Sequence, residues 1–61
     1  MNLKQERERN NLTQQQLADK IKVDRTLISK IESGVSSPRV NTAKKIAKTL
    51  GFDWTLIYKD E

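Results

Sequence analysis

The sequence predicts an all-α fold: one domain over residues 1–61 built from five short helices. Three observations carry this expectation. No segment alternates apolar and polar residues long enough to make a half-buried strand. Helix breakers fall at spaced places, namely Asn10 and Asn11, residues 22–24, residues 33–38 and residues 51–53. Between those breaks, apolar residues recur three and four apart, as in Leu17, Ala18 and Ile21 or Ala43, Ile46, Ala47 and Leu50.

The first helix, around residues 2–10, is highly charged, with Leu3 as its clear apolar anchor. In the second, Thr13 precedes Gln14, Gln15 and Gln16. A threonine N-cap with glutamine three residues on is a capping box, in which each side chain satisfies the other residue's free backbone N–H. Asp24 caps the third helix, whose Ile28 and Ile31 share one side while Arg25, Thr26, Ser29 and Lys30 fall on others. Gly34 supplies the left-handed residue that ends it, and residues 35–39 read as an ordered surface loop. The fourth helix starts either after Ser37, with Pro38 at its first position, or after Asn41, and it ends at Gly51. Asp53 caps a last short turn through Tyr58, counted as the fifth helix, with Trp54 and Ile57 three apart. The expected core is Leu3, Leu12, Leu17, Ala18, Ile21, Val23, Ile28, Ile31, Val40, Ala43, Ile46, Ala47, Leu50, Phe52, Trp54 and Ile57.

A domain this small hides only about 60% of the surface its unfolded chain exposes. Without cysteine or histidine it has neither disulfides nor the usual zinc-ligand sets, so helix packing, helped by a partner subunit, must hold it together. No apolar run approaches the roughly 18 residues of a membrane span, and no signal peptide opens the chain. The expectation is a cytoplasmic protein with no membrane association, no cofactor and no small-molecule ligand. Catalysis is the weakest class, because the chain also lacks a glycine-rich phosphate loop and convergent carboxylates. Basic residues outnumber acidic ones 12 to 8, and they concentrate in the middle: residues 19–48 hold eight basic side chains against Asp19, Asp24 and Glu32. That distribution suits a polyanion binder.

Residues 14–34 are the informative stretch, two short helices joined only by Lys22 and Val23. So short a connection cannot fold the helices antiparallel. It leaves them crossing steeply, the helix-turn-helix arrangement in which the second helix enters a DNA major groove and the first crosses the backbone. Small Ala18 lets the two approach, and Leu17, Ile21, Val23, Ile28 and Ile31 form the wedge between them. Arg25, at the first turn of the third helix, can bond both O6 and N7 of guanine. Thr26 can touch a base edge or a thymine methyl, and Ser29 and Lys30 lie one turn along the same sector, while Leu27 reads as partly buried filler. Gln14 begins the second helix, whose free N–H groups suit a phosphate. Lys44 and Lys45 add phosphate attraction near the start of the fourth helix, and Lys48 reads as solvated. A glutamate facing DNA would be repelled, which turns Glu32 inward.

Arg7, the run Leu12-Thr13-Gln14, Leu17-Ala18, Ile21, Val23, Ile28-Ser29, Ile31-Glu32, Gly34, Pro38 and residues 47–51 together resemble the helix-turn-helix family of lambdoid phage repressors and Cro proteins over almost the whole chain. The resemblance implies a compact five-helix repressor-like domain whose second and third helices form the motif. It implies Gln14 as a phosphate ligand, Arg39 as a loop arginine near the minor groove, and a largely buried structural ion pair between Arg7 and Glu32. It implies a transcriptional regulator, a repressor or Cro-like protein that occupies a double-stranded DNA operator as a homodimer in the bacterial cytoplasm, associated with the nucleoid, with no effector or self-cleavage domain. The apolar residues left over once the core is filled, Leu56 and Tyr58, lie where repressors of this family meet. Lys22 stands where the family often has glycine in a left-handed turn, at a cost of about 1 kcal/mol. Glu6 stands where many members are apolar, which implies looser docking of the first helix. An antitoxin or antirepressor using the fold to hold a protein partner is the alternative class, and a restriction-modification controller protein shares every DNA-binding feature.

Overall fold

The structure is a computed structural model and describes residues 2–58, so residues 1 and 59–61 of the expected domain lie outside it. Its elements are α1 (Leu3–Arg9), α2 (Gln14–Ile21), α3 (Arg25–Ser33), α4 (Val40–Leu50) and a 3-10 turn (Trp54–Tyr58), with no strand among the described residues. The helix ends follow local chemistry. Asn2 caps α1 by accepting from the Gln5 N–H. At α2 the Thr13 hydroxyl accepts from the Gln16 N–H at 3.0 Å while the Gln16 side chain accepts from the Thr13 N–H at 2.8 Å. Asp24 caps α3 by accepting from the Thr26 N–H at 3.0 Å. The α2 helix closes at Lys22, a lysine held left-handed at φ 61° and ψ 48°, whereas α3 and α4 close at glycines, each with φ 83°.

Two expectations about elements need correction. The fifth helix is a 3-10 turn, because the Leu56 N–H bonds the Asp53 carbonyl three residues back and the Asp53 carboxylate holds both the N–H and the hydroxyl of Thr55. The fourth helix starts at Val40, after Arg39, which makes no side-chain cap bond, and neither Ser37 nor Asn41 caps it. The Pro38 carbonyl accepts from the Tyr58 hydroxyl at 2.6 Å, and the first helical carbonyl is that of Arg39, bonded by the Ala43 N–H at 2.8 Å.

The core joins Leu3, Leu17, Ala18, Ile21, Ile28, Ile46 and Leu50, with Leu12, Val23, Ile31, Phe52 and Ile57 packed half-buried around it. Fully buried Ala18 and Ile28 stand at the junction of α2 and α3, and Ala43, Ile46 and Ala47 carry the inward face of α4. Val40, expected inside, is 46% exposed because it sits at the first position of α4, outside the cluster that takes Ile46 and Leu50. Pro38, left out of the expected core, is buried. Charged α1 docks at its end as well as through Leu3: the Asn10 amide donates to the Leu50 carbonyl at 3.2 Å. Half-buried Glu6 pairs outward with Arg9 at 3.3 Å.

Candidate nucleic-acid interface

The candidate site is built on α3, which α2 and the core hold by one side. Ile28 is fully buried and Ile31 half-buried, so Arg25, Thr26 and Lys30 stand exposed, with Ser29 and Leu27 half-buried beside them. The Asp24 carboxylate fixes the start of this row. Its bonds with the Thr26 N–H and then the Thr26 hydroxyl, helped by Arg25 and Lys30, hold it below the usual carboxylate range.

Gln14 opens α2 half-buried, and its side chain is engaged: the amide donates to Glu32 Oε1 at 3.1 Å. Glu32 in turn accepts from Arg7, at 2.7 Å from Nε to Oε2 and 3.2 Å from the second terminal nitrogen to Oε1. The remaining terminal nitrogen of Arg7 donates to the Leu12 carbonyl at 2.7 Å. The two side chains of the pair are 9% and 7% exposed. The hydrogen bond to Glu32 raises the Arg7 pKa above its already high ordinary value, against a smaller opposing effect of burial. Gln14, Glu32 and Arg7 thus form one network joining α1, α2 and α3. Reading residue by residue does not find the link from Gln14 to Glu32, because 18 positions separate them and either is satisfied equally well by water.

Arg39 is exposed at the start of α4. Lys44, also exposed, places its ammonium 5.4 Å from the centre of the Trp54 ring, a cation–π contact that ties it to the 3-10 turn. Lys45 and Lys48 lie elsewhere, with Lys20, Ile21, Lys22 and Thr49 around an open cleft of about 370 Å³. Lys20 and Lys48 occupy the last turns of α2 and α4, where the negative helix ends favour cations, so these lysines have a structural use apart from the α3 row. Leu56 is 37% and Tyr58 43% exposed, but they are not the whole apolar remainder: Val35, at 74%, and Val40 are more exposed, which corrects the expectation that the leftover apolar residues cluster only near the C-terminal turn. Val35 follows the glycine that ends α3, where the chain turns outward. Tyr58 also points back into its own chain, edge-on to Trp54 with ring centres 6.2 Å apart.

Against known proteins, the model of the family described as helix-turn-helix matches residues 3–57. The chain belongs to that family, in its repressor and Cro type. Within it, the chain is 38% identical over 58 residues to an uncharacterized HTH-type transcriptional regulator, YqaF, of Bacillus subtilis strain 168, covering 95% of this chain and 76% of that protein. It is 50% identical over 46 residues to the HTH-type transcriptional activator BcrR of Enterococcus faecalis, covering 75% of this chain but only 22% of that longer protein. No solved structure matches significantly. In this helix-turn-helix chain, α2 and α3 supply the motif, and the left-handed turn between them is made by lysine. Among the described residues no group of acidic side chains could hold a metal ion, and no helix is long and apolar enough to cross a membrane.

Proposed function

We propose that the chain is the DNA-reading part of a repressor or Cro-like transcriptional regulator, which recognises one half of a double-stranded operator by placing α3 in the major groove. Regulation of transcription through DNA is the role that its family membership and its similarity to named regulators support. The observation that carries the finer reading is the division of α3: Ile28 is sealed inward while Arg25, Thr26 and Lys30 face solvent from the first two turns. In this reading Arg25 bonds a guanine edge, Thr26 and Ser29 contact neighbouring base edges, and Lys30 supplies charge deeper in the groove. The N-terminus of α2 with Gln14, together with Arg39 and Lys44, engages phosphates and fixes the register. A homodimer meeting through Leu56 and Tyr58 reads both halves of a pseudo-palindrome in the bacterial cytoplasm.

Selection of bound duplexes from a random pool tests this reading, and one enriched half-site motif is the expected result. Arg25→Ala should then weaken the selected site by about 1–3 kcal/mol and relax one base position, whereas Lys44→Ala should weaken all sequences alike. A pool without enrichment overturns the proposal, and equal losses on selected and random DNA for both variants reduce Arg25 to a phosphate contact.

A further inference from the structure

We propose that Tyr58 is a positioning residue for DNA contact, acting through the loop that carries Arg39. The inference rests on the DNA-binding reading above and assigns a task to a side chain outside the contact surface. The loop between α3 and α4 is anchored at two points. At its start the Val35 and Ser36 N–H groups both donate to the Lys30 carbonyl, at 2.9 and 3.2 Å. At its end the Tyr58 hydroxyl donates to the Pro38 carbonyl at 2.6 Å, across 20 positions of sequence. Arg39 is the next residue, and its backbone sets the first turn of α4 without any side-chain cap. The Tyr58 ring is oriented by its edge contact with Trp54 at 88°, and the Trp54 ring faces the Lys44 ammonium. One aromatic pair on the 3-10 turn therefore touches the environments of both Arg39 and Lys44. Pro38 is buried and restricts Ser37 to extended backbone, so the freedom that remains beside Arg39 is rotation of the Pro38–Arg39 peptide, whose carbonyl the hydroxyl bond holds. Removing that bond frees the Arg39 end of the loop while the Lys30 end stays fixed.

Tyr58→Phe deletes the hydroxyl and keeps the ring, and a half-site duplex removes any contribution from dimerisation. On that duplex the variant should bind about three- to tenfold more weakly than the parent chain. The loss should vanish when Arg39 is already alanine, because the hydroxyl acts through that side chain. Amide hydrogen exchange should accelerate at Ala43, whose N–H donates to the Arg39 carbonyl at 2.8 Å, and stay unchanged at Val35 and Ser36 and along α2, with the melting temperature nearly constant. Unchanged exchange at Ala43 overturns the inference, as does an affinity loss of the same size in the Arg39→Ala background. If Arg39→Ala weakens binding and Tyr58→Phe does not, the positioning role fails alone. If the parent chain binds no duplex at all, the DNA-binding reading fails and the positioning role fails with it.

Discussion

All three guanidinium nitrogens of Arg7 donate to protein oxygens, two of them to the Glu32 carboxylate and one to the Leu12 carbonyl. Removing the carboxylate leaves a nearly buried cation with two of its donors unpaired, which is far more costly than losing an exposed pair. Glu32→Ala should destabilise the fold by about 3 kcal/mol, where a surface pair would be worth under about 1 kcal/mol. Thermal melting of both single variants and the double variant measures this, and small additive effects would show that the pair contributes little. The partners themselves were legible: the family resemblance pointed to both positions, and the repulsion of a glutamate from DNA pointed inward. The Leu12 carbonyl was not, because every residue carries a backbone acceptor and residue type does not mark the one that is used. The left-handed backbone at Lys22 was legible through the resemblance alone, since glycine often stands there in the family and a lysine by itself signals no such conformation.

At the scale of elements, caps were the legible part because they are settled within four residues. Thr13 with Gln16, Asp24, Gly34 and Gly51 all act where the sequence puts them. The start of α4 escaped because no side chain caps it, so the residue types carry no local signal for it, and the exposure of Val40 follows from that start. The Asp24 cap has a pH consequence. Its carboxylate is held below its ordinary value in the folded chain, so the folded state binds its proton less readily than the unfolded chain does. The stabilisation is complete above the unfolded carboxylate value of about 4 and disappears as the pH falls through the lower folded value. Asparagine caps nearly as well and does not titrate. Asp24→Asn should therefore narrow the gap in melting temperature between pH 6 and pH 2.5 relative to the parent chain, and an identical gap in both would remove Asp24 from the acid response.

For the molecule as a whole, the proposed reading requires a body of 25 × 21 × 19 Å to take in enough DNA to find one site in a genome. A single α3 spans about four base pairs, and a two-fold pair with recognition helices about 34 Å apart doubles that readout. The proposed contact through Leu56 and Tyr58 is small, which favours a dimer that DNA completes by holding both subunits on neighbouring half-sites. Leu56→Lys should leave the melting temperature and half-site affinity nearly unchanged while abolishing cooperative occupation of the palindrome. Unaltered cooperativity would exclude this surface, and the more exposed Val35 and Val40 would then be the apolar residues to substitute next. The anchoring of α1 bears on how long such a molecule persists. Seven residues cannot hold a helix alone, so α1 stays folded only through Leu3, the Arg7 network and the Asn10 bond to Leu50, and those few contacts set what its opening costs. A protease that captures briefly opened chain would cut there first, withdrawing the guanidinium and leaving the Glu32 carboxylate uncompensated beside Gln14, on the side proposed to meet phosphate. The working lifetime of the regulator would then be set by the opening of one short helix, and its activity would end before the rest of the domain is digested.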